Sequence, residues 1–440
     1  MTRPRGLATY GLITRAITPL VPAYLRRRAK RGKEDPSRLN ERIGHPRMAR
    51  PAGHLVWVHA ASVGEALSVQ AFIDALRAQR PGISVLFTTG TVTAARLLAH
   101  RLPPGAIHQF VPVDTPAAIE GFLDHWQPDY MVLVESELWP NLITRTRARG
   151  IRMALINARM SAASMRGWRW GGATARQITG SFDIVLAQDT AAAARFRQLG
   201  AHNVHAVGNL KADVPPPPAP PALLGEVTGI VAGRPAWLAA STHAGEERTI
   251  AQAHALLKQA IPGLLTIIVP RHPERGAQIS QLLTDMQLTH ARRSTGERVT
   301  ARTDIYLADT LGELGGFFRI LTIVFMGGAL VRAGGHNPIE PALLGAALLT
   351  GPHTHNFTEF YAAFEHNQAC ETVHDAASLA AAVGRLMADG ALAGQRVSAA
   401  AETAGQLTGA LQKTLDQLLP LLDAAMPHAG TAATMRHASS

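Results

Sequence analysis

Leu55-Val56-Trp57-Val58-His59 is an unbroken apolar run that gives way to Ala60-Ala61-Ser62-Val63-Gly64-Glu65 and then to a helical pattern reaching Arg80. A short apolar run that feeds a helix through a tight turn is the opening half of a βαβ unit. In sheets built from such units, ligands sit in the crevice at the carboxyl ends of the strands. Glu65 falls in the first turn of the expected helix, where the dipole and the free N–H groups favour a carboxylate able to accept a proton near pH 7. By position alone an acidic helix cap is the commoner explanation.

The same rhythm continues outward. Ser84 to Thr88, Ile107 to Val113, Asp129 to Glu135, Arg152 to Asn157, Asp183 to Gln188 and Val204 to Val207 read as strands, with helices such as Thr115 to Trp126 and Thr190 to Leu199 between them. Val214 to Pro221 carries six prolines in eight residues, which neither a helix interior nor a central strand accepts, so a domain boundary is expected there. Beyond it, Trp237 to Ser241, Leu264 to Val269, Asp304 to Leu307, Leu321 to Phe325 and Ala346 to Thr350 read as a second parallel sheet. Stretches from Ala376 to Met387 and Ala391 to Leu422 read as closing helices. The fold class is therefore α/β, two Rossmann-like parallel-sheet domains facing a central cleft. The expected organisation is a membrane-associating segment over 1–35, a first domain over 36–212, a second over 213–425 and a disordered tail over 426–440. Neither half opens with Gly-x-Gly-x-x-Gly, which argues against a dinucleotide cofactor.

A formal charge of +11 points to an anionic partner, either nucleic acid, a phosphate-bearing substrate or an acidic membrane surface. With only 5 % aromatic residues and no aromatic-basic interleaving, nucleic acid is the weakest of the three. The single cysteine, Cys370, excludes an intramolecular disulfide framework and fits a reducing compartment.

From Leu7 to Leu25 the chain is mostly apolar but interrupted by Arg15, Pro19 and Pro22, and Arg26, Arg27, Arg28, Lys30, Arg31 and Lys33 follow. Basic residues after the apolar run reverse the order of a cleaved signal, and the interruptions weaken a spanning helix. A segment lying on the anionic cytoplasmic leaflet fits this order better.

Three loops of the second half carry polar residues that apolar packing does not require: Ser241-Thr242-His243-Ala244-Gly245-Glu246-Glu247, Pro270-Arg271-His272-Pro273-Glu274-Arg275, and Met326 to Leu330 with Gly334-Gly335-His336-Asn337-Pro338-Ile339-Glu340. Arg271 with neighbouring backbone donors suits a phosphate. Gly328 allows close approach of backbone to ligand, Asn337 can cap a helix with Pro338 at its first position, and Glu340 then stands where a carboxylate could hold ribose hydroxyls. Glu340 as half of a capping box is the structural alternative.

Several stretches together resemble the Kdo transferases, the 3-deoxy-D-manno-octulosonic acid transferases of bacterial lipopolysaccharide synthesis. They are His59 to Glu65, Glu135-Ser136-Glu137-Leu138-Trp139-Pro140-Asn141, Asn157-Ala158-Arg159-Met160-Ser161, Gly208-Asn209-Leu210-Lys211, Ser241-Thr242-His243, Pro270 to Glu274 and Gly334 to Ala342. The resemblance implies a GT-B glycosyltransferase fold and inverting transfer from a CMP-Kdo donor to a lipid A precursor, lipid IVA. It also implies peripheral or N-terminally anchored attachment to the cytoplasmic side of the inner membrane. It implies Glu65 as catalytic base and Glu137 as a second acidic residue, with Glu135 close enough to compete for that role. Arg271, His272, Asn337 and Glu340 match positions around the nucleotide; Ser241, Thr242 and Gly328 join them as donor-binding candidates, and no cofactor or metal is called for. Two alternatives remain at this level: a nucleotide-sugar epimerase of similar build, and a serine hydrolase in which Ser62 sits on a nucleophile elbow.

Overall fold

The alternation of apolar strands and helices produces two wholly parallel seven-stranded sheets, seen in a computed structural model that describes residues 4–99, 102–103 and 105–426. The first sheet comprises β1 (Leu55–His59), β2 (Ser84–Thr89), β3 (Ala106–Phe110), β4 (Tyr130–Val134), β5 (Arg152–Ala158), β6 (Ile184–Ala187) and β7 (Val204–Ala206), ordered β3-β2-β1-β4-β5-β6-β7. The chain winds outward from β1 in one direction and then returns to place β4 on its other side. That reversal between β1 and β4 is the topological switch point, where the flanking loops part and leave a crevice. Both faces of β1 are covered, which is why its sequence does not alternate with polar residues. Leu55 and Trp57 join Phe122 and Trp126 on one face, and Val56 and Val58 join Phe72, Ile73 and Leu76 on the other.

The second sheet comprises β8 (Ala236–Thr242), β9 (Leu265–Pro270), β10 (His290–Arg292), β11 (Ile305–Leu307), β12 (Ile323–Met326), β13 (Ala347–Thr350) and β14 (Cys370–Thr372), ordered β10-β11-β9-β8-β12-β13-β14. Its switch point lies between β8 and β12. Every strand expected from the sequence is present. β10 and β14 were not expected, and they are the two edges of this sheet. Each is three residues long and only partly buried, so neither leaves an apolar signature.

The chain divides into one unit of Met1–Asp213 with Thr408–Ser440 and another of Val214–Leu407. The sequence reading placed all the closing helices in the second domain, and the last one does not belong there. Helix Ala410–Ala425 buries Leu415, Leu418 and Leu422 in the first unit's core, beside Phe72 and Leu76. Asp213 receives the N–H groups of Gly409 and Leu411, each at 2.6 Å, and Arg80 pairs with Asp423 at 2.6 Å. An apolar helical pattern states that a face must be covered, not which sheet covers it. Of the expected tail, residues 427–440 lie outside the described residues.

A second difference falls beside β1. The single expected helix from Glu65 to Arg80 is two, Val63–Ser68 and Gln70–Gln79, separated by Val69 at φ −102° and ψ 1°. The Ser68 hydroxyl donates to the Glu65 carbonyl at 2.8 Å, so a side chain takes up an acceptor of the first helical turn where the helix breaks.

The N-terminal segment folds as helix Arg5–Ile17, a short 3₁₀ turn and helix Val21–Lys30, with Pro19 and Pro22 each within the first two positions of a new element. It is docked on the first unit. Tyr10 donates to Asp114 at 2.9 Å, and Asn141 Nδ2 donates to Thr14 Oγ1 at 3.0 Å. Leu12, Ile13, Ile17, Leu20 and Tyr24 stay exposed. Among the described residues no single helix is long and apolar enough to cross a membrane.

Candidate active site

At the first switch point, Ser62 is the N-cap of helix Val63–Ser68, and its hydroxyl receives the Glu65 N–H at 3.4 Å while donating to Glu65 Oε1 at 2.8 Å. Glu65 Oε2 receives the Ala61 N–H at 2.8 Å. The carboxylate is thus fixed by its own loop, one bond to each oxygen, and it remains half-buried. Burial raises its pKa above the ordinary carboxylate value, the two hydrogen bonds oppose that, and the charges of Glu135 and Glu137 add to it. Where the sequence suggested that the helix terminus would hold Glu65 ionised, desolvation wins. Its affinity for a proton is higher than expected, which favours a general base.

Glu135 and Glu137 follow β4, the strand that borders β1 across the switch point. Glu135 has φ +59°, a left-handed conformation uncommon outside glycine, and its Oε1 receives Lys211 Nζ at 2.7 Å. Glu137 receives the Trp139 indole N–H, and its pKa is raised, mainly by burial and further by Glu135. The two neighbouring acids are therefore not equivalent. Glu135 is held in an ion pair, whereas Glu137 shares the desolvated state of Glu65.

His59, wholly buried at the end of β1, stands behind this pair. Its Nδ1 lies 3.1 Å from the Thr88 carbonyl oxygen, an atom that can only accept, so Nδ1 carries the proton. Burial depresses its pKa to about 4, so Nε2 is an unprotonated acceptor. Among the described residues that atom has no hydrogen-bond partner, and it lies 4.0 Å from Glu137 Oε2.

At the second switch point Ser241 adopts φ +56° and breaks the register between β8 and β9. Glu246 is wholly buried and receives four N–H groups, from His243 at 2.8 Å, Gly328 at 2.7 Å, Ala329 at 3.0 Å and Leu330 at 2.9 Å. It thereby ties the loop after β8 to the turn after β12. Gly327 is required there, because a Cβ would stand 2.7 Å from the Ser241 carbonyl oxygen. Above this turn the His243 and His336 rings stack with centroids 5.2 Å apart, and their Nε2 atoms lie 3.0 Å apart, within reach of a hydrogen bond from one ring to the other. Burial lowers both pKa values, that of His336 to about 4, and Arg271 lowers both further. Arg271 is exposed after β9, and among the described residues its guanidinium has no partner. His272 sets its ring edge-on to His243 at 5.7 Å.

Asn337 Oδ1 receives the Ile339 N–H at 3.1 Å, as expected of a capping side chain, but the helix is the short Ile339–Leu343 and Pro338 is its N-cap, one position earlier than read. Glu340 makes no capping box. Burial alone pushes its pKa to about 7, and among the described residues its carboxylate has no hydrogen-bond or ion-pair partner.

Thr242 turns its side chain into the protein, beneath the loop. Its side chain is wholly buried and donates to Glu247 Oε1 at 3.0 Å, in a pair that Arg275 completes at 2.7 Å. It supports the loop from beneath. The sequence reading missed Glu246, His336, His59 and Lys211 as contributors. Glu246 and His336 stood inside quoted loops, and nothing local shows that a carboxylate will be spent on N–H groups more than eighty residues away. The Ser62 hydroxyl bonds to Glu65 and not to a histidine, which removes the base that the hydrolase alternative needs.

With this geometry in hand, residues 37–214 match the family model described as 3-deoxy-D-manno-octulosonic-acid transferase (kdotransferase). The 3-deoxy-D-manno-octulosonic acid transferase of Haemophilus influenzae is 33 % identical over 92 % of this chain and 96 % of its own length. That of Bordetella pertussis is 36 % identical over 80 % and 85 %. A glycosyltransferase structure from Rickettsia africae superposes with a TM-score of 0.53 over 86 % of this chain and all of its own, at 12 % identity, which is a likeness of fold. Sequence identity of this extent, across both units, separates the chain from epimerases of similar build. The chain belongs to the 3-deoxy-D-manno-octulosonic acid transferase family of glycosyltransferases.

Proposed function

We propose that this enzyme moves Kdo from CMP-Kdo to a hydroxyl of a lipid A precursor, lipid IVA, with inversion at the anomeric carbon. The acceptor oxygen attacks that carbon, the bond from carbon to the CMP phosphate oxygen breaks, and Glu65 takes the hydroxyl proton. The observation that carries this reading is the half-buried Glu65 carboxylate at the first switch point, raised in pKa and, among the described residues, bonded only to its own loop. Glu137 shapes the charge around it, with Glu135 restrained by Lys211.

In the donor unit, Arg271 and the loop donors near Asn337 would meet the phosphate, where they stabilise the charge left on CMP. Ser241, His272 and Gly328 border the same loops, and Glu340 would accept the ribose hydroxyls. Attachment to the cytoplasmic side of the inner membrane is supported by the exposed apolar side chains of Arg5–Ile17 and the basic run that follows. The test is transfer from CMP-Kdo to lipid IVA in detergent, with CMP release followed in parallel. Matched formation of Kdo-lipid and CMP is the expected result. CMP release without acceptor modification would sink the acceptor assignment.

A further inference from the structure

A groove of about 570 Å³ runs between helix Val21–Lys30 and the turn that carries Leu39–Arg42. Its apolar surface comes from Leu25, Ala29, Leu39 and Ile43, and Arg26 and Lys30 stand on its rim. No carboxylate lines it, and among the described residues neither rim cation has an ion-pair partner. The walls are fixed. Buried Glu34 receives Arg28 Nε at 2.8 Å from the helix and lies 3.3 Å from Arg42 Nε, and Arg42 donates to the Val111 carbonyl.

An apolar floor of this size with cations on its rim matches a hydrocarbon chain that ends in an anion. We propose that the groove binds one acyl chain of an anionic membrane phospholipid, with the lipid phosphate held by Arg26 and Lys30. The basic run over Arg26 to Lys33 then does more than attract the leaflet, because two of its members select a lipid that the groove admits. The membrane-surface reading above supplies the source of the lipid, but the binding itself is measured without transferase activity.

The direct probe is monomeric dodecyl phosphate, titrated calorimetrically into the full-length protein. One-site binding is expected, with inorganic phosphate and uncharged dodecyl maltoside both far weaker. Ala29→Trp fills the groove and should weaken dodecyl phosphate at least tenfold. Arg26→Gln with Lys30→Gln changes only exposed positions. It should weaken sedimentation with phosphatidylglycerol vesicles about twentyfold, since each basic residue at an anionic surface contributes on the order of fivefold. Phosphatidylcholine vesicles should not distinguish that variant from the parent.

Inorganic phosphate binding as tightly as dodecyl phosphate would overturn the proposal by making this a simple anion site. So would a folded Ala29→Trp that binds like the parent, or, if that variant does not fold, a double glutamine variant that keeps its phosphatidylglycerol preference. If the variants instead raise KM for lipid IVA in detergent free of phospholipid, the occupant is the acceptor's own acyl tail and the phospholipid assignment falls. Loss of transfer with groove binding intact would count against the proposed reaction alone.

Discussion

Glu65 and Glu246 occupy equivalent places in the two units, each in the first turn of the helix that follows the first strand of its sheet, beside the switch point, and their surroundings make them opposites. Among the described residues Glu65 is bonded only by Ala61 and Ser62 of its own loop; it remains half-buried and has a raised pKa. Glu246 is wholly buried and receives four backbone N–H groups, three of them from the turn after β12. A carboxylate with that many donors is committed to architecture, while one with two local bonds and neighbouring acids can exchange a proton. The same fold position thus carries a carboxylate with raised proton affinity in one unit and a scaffold carboxylate in the other.

Glu65→Gln separates the two roles most sharply. It keeps size and removes the proton acceptor, so turnover at saturating donor and acceptor should fall by about two to four orders of magnitude while CMP affinity is retained. Near-parental turnover would end the assignment. The raised pKa also sets a pH limb: activity should decline as pH falls through the Glu65 pKa, because the base becomes protonated, and that limb should lie above the range of an ordinary glutamate.

Glu246→Gln should act on stability before activity. The amide replaces one accepting oxygen with a donor that faces N–H groups, which should cost about 2 to 4 kcal/mol in denaturant unfolding of the second unit. If Glu246→Gln instead left stability intact and abolished turnover, the two glutamates would have been assigned the wrong way round.

Arg271→Ala tests whether the second unit holds an anion. CMP binding should weaken by about 1.5 to 3 kcal/mol, with cytidine much less affected, as read by calorimetry. Equal losses for both ligands would place the guanidinium away from the phosphate.

The smallest effect concerns Glu340, an acid of the second unit that resembles Glu65 more than Glu246. Burial raises its pKa from 4.5 to about 7, so the folded protein keeps a proton that the unfolded chain has lost between those values. Its relative stabilising contribution is therefore full below about pH 4.5 and is lost as pH rises through 7. Glu340→Gln should change little at pH 4 and stabilise the protein at pH 8, by on the order of 1 to 2 kcal/mol after allowance for partial solvent contact. A stability difference independent of pH would show that the carboxylate is already solvated.

The βαβ rhythm was legible because parallel strands covered on both faces must be apolar throughout, as in Leu55 to His59 and Leu264 to Val269. Edge strands escape that requirement, and His290–Arg292 and Cys370–Thr372 were accordingly missed. The candidate residues were legible where glycine, proline or charge interrupted an apolar pattern just after a strand. Their division of labour was not. Thr242 and Glu340 look equally polar in sequence, yet one is sealed against Glu247 and the other has no partner among the described residues.

By itself the sequence determined the repeating strand and helix pattern, the proline-rich boundary and the loops that carry the chemistry, since each rests on interactions between residues near one another in the chain. Tertiary structure alone decided the return of helix Ala410–Ala425 to the first unit, the tie from Glu246 to Gly328, the pairing of Lys211 with Glu135 and the elevated proton affinity of Glu65. Those outcomes depend on burial and on partners dozens to hundreds of residues away, and a local pattern encodes the need for a partner without naming it.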